Sequence, residues 1–242
     1  MLQRHLQEAF KNREYLPSLS GAYHQLGNLY SNQGKMKKAE DMYLRALTGK
    51  EKAWGPEHTS TFDTVNNLGA LYSDQGKMKE AEDMYLRALT GYEKAWSPEH
   101  TSTLNTVNNL GLLYSDQGKM KEVEDMYLRA LVGYEKTWDP EHTSTLNTVN
   151  NLGALYSDQG KMKEAEDMYL RTLTEYEKAR SPEYKQVLDT RYNLGLFYKK
   201  RFMFEKTIQQ FELVVQNYKK LLNPEHSEIV EILNQLKDCE ID

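Results

Sequence analysis

Apolar residues in this chain recur with the period of a helix, and the pattern itself then recurs. The positions Phe62, Val65, Leu68, Leu71 and Tyr72 recur at intervals of three and four residues, which sets them on one helical face. The polar run Ser73 to Lys77 interrupts them, with Gly76 as its turn residue. A second stripe passes through Met78, Ala81, Met84, Tyr85, Ala88, Leu89, Tyr92 and Trp96, until Ser97 and Pro98 close it. No stretch alternates with the two-residue period of a strand, so the pattern predicts a helical hairpin. Thr59 and Ser60 are candidate caps at its start, and Glu57 just ahead suits the positive end of a helix dipole.

The hairpin is one copy of a repeat. The stretch His100 to Glu141 differs from the one beginning at His58 only at Leu104, Asn105, Leu112, Val123, Val132, Thr137 and Asp139. Pro56, Pro98, Pro140, Pro182 and Pro224 mark a period of about 42 residues, in the range of solenoid repeats. Glycines keep the same beat, once as Gly27, Gly69, Gly111, Gly153 and Gly195 and once as Gly34, Gly76, Gly118 and Gly160, with Arg201 read in the place of the last in the fifth copy. The predicted units are 18–57, 58–99, 100–141, 142–183 and 184–224. A partial helix over 1–17 precedes them, with Leu2, Leu6, Ala9 and Phe10 on one side. Because it resembles the second half of a unit, the chain is expected to begin inside a larger array. Within 225–242 a last helix, Ser227 to Asp238, carries Lys237 where the units carry the packing glycine, which predicts a cap with Ile229, Ile232, Leu233 and Leu236 turned inward.

Small residues on the apolar faces predict how the helices meet. Gly69 and Ala88 sit where a larger side chain would hold two helix axes apart, while Tyr72, Tyr85 and Leu68 fill the space around them. Gly49, Gly91 and Gly133 lie inside second helices, and because Glu175 replaces them in the fourth copy that position is expected to be exposed. Trp54, Trp96 and Trp138, replaced by Arg180 and Leu222 in the later copies, are expected to plug the joint to the next unit as core. His58, His100, His142 and His226 occur once per unit. Packed helices lie about 8 to 10 Å apart, so equivalent imidazoles cannot share one metal, and a capping or turn role is expected instead.

Composition narrows the function. In 242 residues with 39% apolar and 28% charged content, the net charge is −5 and the isoelectric point about 5.8. A mildly acidic chain without a basic stripe does not track phosphates, which argues against nucleic acid as partner. No apolar run reaches the length of a membrane span, and MLQRHLQEAF lacks the hydrophobic core of a signal peptide, so the expected setting is the cytoplasm with no membrane partner. Cys239 is the only cysteine, which leaves no intrachain disulfide and no cysteine zinc site. Acidic pairs such as Glu80 and Glu82 read as solvated, no serine sits in a nucleophile elbow, and no glycine-rich loop has the spacing of a phosphate cradle. The chain is therefore expected not to be an enzyme, and to need no cofactor or metal.

The residues Leu68, Gly69, Tyr72, Ala81, Tyr85 and Ala88 resemble the spaced signature of the tetratricopeptide repeat, with Val65 in place of the usual tryptophan. The late proline, displaced to Pro98, is similar to the lengthened 42-residue form of kinesin light chains. The strings NNLG, LY, QGK, EAE, RAL and YEK followed by PEH also resemble the repeat regions of fungal NOD-like receptor proteins. The resemblance implies an all-α fold, a right-handed α-solenoid of antiparallel helix pairs with a C-terminal capping helix. In it the first helices line a concave face that binds a peptide or protein surface.

On that reading the concave residues are Asp63, Asn66, Asn67, Ala70, Ser73 and Asp74 in one copy. Their counterparts are Asn105, Asn108, Asn109, Leu112, Ser115 and Asp116 in the next, then Asn147, Asn150, Asn151, Ala154, Ser157 and Asp158. An asparagine ladder can bond the backbone of an extended peptide whatever its side chains, because each amide both donates and accepts. The same amides could equally bond across neighbouring first helices and brace the solenoid. Asn28, Ala70, Leu112, Ala154 and Leu196 share one position that varies between copies. The fifth unit adds Arg191, Tyr192, Lys199 and Lys200, a basic end expected to receive acidic residues of a ligand. The alternatives to a sensor or scaffold module are a cargo adaptor like a kinesin light chain and a structural spacer or homo-oligomeric array joined through its ends.

Overall fold

The computed structural model describes residues 16–138, 141–179, 184–221 and 226–239. Among these every regular element is a helix. In chain order they are α1 (Leu16–Asn32), α2 (Met36–Trp54), α3 (Thr59–Asp74), α4 (Met78–Ala95), α5 (Thr101–Asp116), α6 (Met120–Thr137), α7 (Thr143–Asp158), α8 (Met162–Ala179), α9 (Lys185–Lys199), α10 (Phe204–Leu221) and α11 (Ser227–Cys239). They form two compact units, 1–126 and 127–242, divided inside α6. In the first, α1 packs on α2 and α3 on α4, with α1, α3 and α5 side by side. In the second, α7 packs on α8 and α9 on α10, α7 lies beside α9, and α11 closes on α10. The segments 1–15, Arg180 and Leu222 lie outside the described residues.

The repeated histidines start the first helices. His58, His100 and His142 are the N-cap residues of α3, α5 and α7, in extended backbone, and each accepts through Nδ1 the N–H two residues on, from Ser60, Ser102 and Ser144, at 3.2 Å. An imidazole nitrogen thus satisfies a helix-terminal N–H that the threonine and serine were expected to satisfy. The tryptophans stack on these same rings, with ring centroids 5.1 Å apart for Trp54 and His58, 3.7 Å for Trp96 and His100 and 4.4 Å for Trp138 and His142. Trp54 and Trp96 are 40% and 41% exposed, so they are lids over the caps rather than the core expected of them.

The first helices end in a six-residue return. Lys77 N–H reaches Tyr72 O at 2.8 Å across Gly76, whose φ of +72° takes the left-handed conformation this closure needs. In the fifth repeat the same bond runs from Met203 to Tyr198 at 3.1 Å, so the residue in the glycine's place is Phe202, at φ +58°, and not Arg201. A phenylalanine there costs about 1 to 2 kcal/mol of backbone strain.

Close approach inside each hairpin is set by the other glycine series. A Cβ on Gly69 would lie 2.8 Å from the Tyr85 ring, and one on Gly195 would lie 2.4 Å from Phe211. Gly91 is also buried, and a Cβ there would fall 2.0 Å from the Phe62 ring. Its expected exposure is therefore overturned. In the fourth repeat the smaller Leu146 stands where Phe62 does, and the half-buried Glu175 at the glycine's position pairs with Lys178 at 2.9 Å.

Consecutive repeats are locked by a clasp. Glu40 of α2 receives Gln75 at 3.1 Å and Lys77 at 3.2 Å from the next turn. Glu82 of α4 receives Tyr114, Gln117 and Lys119 at 3.2 to 3.4 Å, so it is not the freely solvated acid its helix pattern indicates. Each of these lysines lies over a tyrosine, with Lys77 4.9 Å from the Tyr72 ring and Lys119 4.7 Å from Tyr114. In the second unit Glu166 takes Tyr198 at 2.7 Å and Lys206 at 3.0 Å, and these two bonds hold its carboxyl below the ordinary range.

One joint of the first unit holds a buried polar cluster. Lys50 is 4% exposed and donates to Ser60 O at 2.8 Å, while His24 Nδ1 lies 3.0 Å from Thr64 Oγ1. Burial, and then the Lys50 ammonium, lower the His24 pKa to about 4, with Asp63 opposing them. The unfolded imidazole titrates near its ordinary value of 6.5. Between those values the unfolded chain binds the extra proton, so the stability His24 contributes is complete above about pH 6.5 and is lost as pH falls toward 4. Thermal melts should show a loss of about 1 kcal/mol between pH 7.5 and pH 5, after allowance for partial exposure. His24→Asn, the residue found at the equivalent Asn66, Asn108 and Asn150, should remove that part of the slope. An identical slope in the variant would assign the acid sensitivity elsewhere.

Candidate peptide-binding surface

The first-helix face carries a cavity at the same repeat joint in both units. In the first unit it occupies about 310 Å³ between α1 and α3, lined by Asn28, Ser31, Asn32, Asn67 and Ala70 with Tyr43 of α2 behind. In the second it occupies about 150 Å³ between α7 and α9, where Ala154, Ser157 and Asp158 face Asn193, Leu196 and Lys200, backed by Tyr169 of α8. Shifted by three repeats, Asn28 becomes Ala154, Ser31 becomes Ser157, Asn32 becomes Asp158, Tyr43 becomes Tyr169, Asn67 becomes Asn193 and Ala70 becomes Leu196. The tyrosine reaches the joint because the glycine of the facing first helix, Gly27 or Gly153, leaves room for its ring.

The chemistry of the two cavities differs. Asn28 Oδ1 accepts both the Tyr43 hydroxyl at 2.7 Å and Asn67 Nδ2 at 3.0 Å, so the first is walled by a satisfied amide bridge. In the second, Ala154 offers no acceptor to Tyr169, and the wall is an ion pair, Lys200 to Asp158 at 3.0 Å. Burial raises the pKa of both tyrosine hydroxyls, and the Asp158 carboxylate adds to the rise at Tyr169, so both are un-ionised donors near neutral pH.

The expected site residues divide accordingly. Asn67 and Ala70 share the first cavity, Ala154 and Lys200 the second. Leu112, at the equivalent position of α5, is exposed, and Asn109 and Asn151 are half-buried. Three of the other polar positions bond neighbouring helices. Asp63 accepts the Tyr92 hydroxyl at 2.6 Å, Asn147 accepts Tyr176 at 2.7 Å, and Asn66 accepts Thr106 of the next first helix at 3.0 Å. Asn105 and Asn108 each have an interaction of their own, whereas Asn150 Oδ1 is buried without a donor.

The basic end is internally matched. Arg191 bonds Glu177 and, at 2.8 Å, Gln210, between α8 and α10 and not with the other site residues. Lys199 reaches Gln235 at 2.7 Å and Asp238 at 3.0 Å on α11, and the Tyr192 hydroxyl donates to Glu231 at 3.1 Å. The back-wall tyrosines were missed in the sequence as site residues because their helical stripe marks them only as core. The signal that finds them is their pairing with a packing glycine one helix away.

Among the described residues no helix is long and apolar enough to cross a membrane, and no group of acidic, histidine or cysteine side chains is arranged to hold a metal ion. The sequence matches the family model of the tetratricopeptide repeat over residues 18–94 and 99–178. No curated protein matches it significantly. Among solved structures, BtubC (BKLC) from P. vanneervenii is similar over 93% of this chain and 91% of its own, with 22% identity and a TM-score of 0.73. The nearly identical TPR-like repeats of kinesin light chain type from Podosopora anserina match over 86% of this chain and 98% of theirs, with 21% identity and a TM-score of 0.69. PilF of Pseudomonas aeruginosa covers 93% and 88% at 17% identity, with a TM-score of 0.61. At these identities the likeness establishes the fold.

Proposed function

We propose, for a chain that belongs to the tetratricopeptide repeat family, that its first-helix face binds an extended peptide whose side chains enter cavities such as those at the α1–α3 and α7–α9 joints. The family fold is typically a protein-interaction module built on an α-solenoid of helix pairs. The observation that carries the reading is the recurrence of one cavity at equivalent joints, with Asn28, Asn32 and Ala70 in one lining replaced by Ala154, Asp158 and Leu196 in the other. A spacer needs no such variation, since its joints need only pack. A reader of side chains needs it, because a cavity walled by amides accepts a different residue from one walled by leucine, alanine and an ion pair. The use of this face in a sensor or in a cargo adaptor belongs to the same proposal.

The test uses the tolerance the repeats already display. Because Leu112 and Leu196 occupy the varied position, Ala70→Leu with Ala154→Leu should leave thermal stability nearly unchanged while filling both cavities. Peptides selected from a random library on the parent chain should bind this double variant about tenfold more weakly, the scale of a lost buried side-chain contact. Equal affinity for parent and variant, or a library from which no peptide enriches, would overturn the proposal.

A further inference from the structure

The fifth repeat and the capping helix enclose a second kind of cavity, at the other end of the first helices. It has a volume of about 180 Å³ between α9, α10 and α11, and its lining is Asp189, Tyr192, Tyr218, Glu228, Glu231 and Ile232. Three carboxylates and two phenol rings thus face one space. Asp189 pairs with Lys185 at 3.1 Å. Glu231 accepts the Tyr192 hydroxyl at 3.1 Å, and burial, then the nearby Asp189 and Glu228 carboxylates, raise the pKa of the Tyr218 hydroxyl. Tyrosine donors orient carboxylates without cancelling their charge, so the cavity keeps a net negative potential. The rings are fixed as well, with Tyr192 stacked on Phe211 at a centroid distance of 5.6 Å and Tyr218 packed in the α10–α11 core.

The first repeat shows what such a space takes. Moved back by four repeats, Asp189, Tyr192, Tyr218, Glu228, Glu231 and Ile232 become Gly21, His24, Lys50, Ser60, Asp63 and Thr64. There the corresponding joint is filled by an ammonium of the chain itself, Lys50, bonded to Ser60 O at 2.8 Å; burial lowers its pKa, and the Asp63 carboxylate opposes that fall. In the fifth repeat position 218 is a tyrosine, the internal ammonium is gone, and the acids around the space have increased from Asp63 alone to Asp189, Glu228 and Glu231.

We infer that the cavity between α9, α10 and α11 is a binding site for a primary ammonium group, the side chain of a lysine in a bound peptide. The carboxylates on the lining offer acceptors to its N–H donors, and the Tyr192 and Tyr218 rings shield its methylene stem and add cation–π attraction. A metal ion is disfavoured by the same geometry, since no acidic group among the described residues converges as ligands would. The source of the ammonium rests on the peptide-binding reading above, while acceptance of an ammonium does not. The site also reverses the polarity expected from Arg191, Lys199 and Lys200, whose charges are taken up by Glu177, Asp238 and Asp158.

The probe is a tetralysine peptide, with the fully Nε-acetylated tetralysine as its uncharged counterpart, titrated by calorimetry against the full chain at low salt. Free tetralysine should bind at least about tenfold more tightly than the acetylated form, the scale of a charge-assisted hydrogen bond. Asp189→Asn, which leaves the bonds to α11 in place, and separately Glu228→Gln with Glu231→Gln should each erase most of that preference. Glu80→Gln with Glu122→Gln, two exposed acids elsewhere, should keep it. Equal loss in the exposed pair would mean attraction to net charge alone and overturn the site, as would unchanged binding in Asp189→Asn. n-Butylammonium, followed by NMR shifts of the Tyr218 ring, separates the two readings. A shift at Tyr218 in a chain from which no library peptide enriches would keep the ammonium site and discard the peptide, whereas enriched peptides without any shift would discard only the site.

Discussion

Gly91→Ala should destabilise the chain by about 3 kcal/mol, near the upper end for forcing one methyl into a packed core. The added Cβ would fall 2.0 to 2.4 Å from three atoms of the Phe62 ring. That ring is 2% exposed and meets Tyr92 edge-on at a centroid distance of 5.7 Å, so it has no open side to turn toward. Relief therefore needs the hairpin α3–α4 to open. Phe62→Leu supplies relief in another way, because the third and fourth repeats carry Leu104 and Leu146 at the same position. Alone it should cost about 1 kcal/mol in lost aromatic contact. Combined with Gly91→Ala it should recover at least about 1 kcal/mol relative to the sum of the single changes, a coupling within the range for residues in contact. Urea midpoints of the four chains measure this. Strict additivity would mean that the methyl and the ring do not compete for one space.

This pair also shows what a single sequence can and cannot reveal about such a fold. The helical period, the hairpins, the packing role of Gly69 and Gly195 and the cap at Ile229 and Ile232 were legible, because each depends on one helix face at a time. The environment of Gly91 was not, because Glu175 at the equivalent position suggests exposure until Leu146 is placed opposite it. The same reason hid the clasp of Glu82 with Tyr114, Gln117 and Lys119, which joins residues about one repeat apart. A solvated helix face and a face that meets the next repeat share one polar pattern. The tryptophans misled for a different reason. An indole stacked flat on a capping imidazole buries one face and leaves the other in water, so its size indicates core while its position is half open. At the candidate site the varied position was found from the repeats alone. Its back-wall tyrosines and the cavity at Asp189 were not, since both arise where three helices converge.

Ending the chain at Leu221 should cost the second unit about 3 to 6 kcal/mol and cause it to associate. That range comes from Ile229 and Ile232, both buried by α11 packing, at about 1.5 to 3 kcal/mol each. Partial cover from Leu233 and Leu236 adds to it, and Leu188, Phe211, Val214, Val215 and Tyr218 lose the helix that completes their cluster. An exposed apolar repeat end has no polar face to present to water, which makes self-association its nearest alternative burial. The change also strips polar partners. Lys199 would lose Gln235 and Asp238, and the Tyr192 hydroxyl would lose Glu231. Those bonds are exposed or half-exposed and contribute less than the two isoleucines, so the apolar term should dominate. Ile229→Glu with Ile232→Glu in the untruncated chain separates the terms, since it removes the apolar contact and leaves Gln235, Asp238 and Glu231 in the chain. If packing dominates, it should reproduce most of the lowered melting temperature and the larger species seen by light scattering. A truncated chain that stays monomeric and melts with the parent would show that α11 is an appendage and that the stack ends stably at α10.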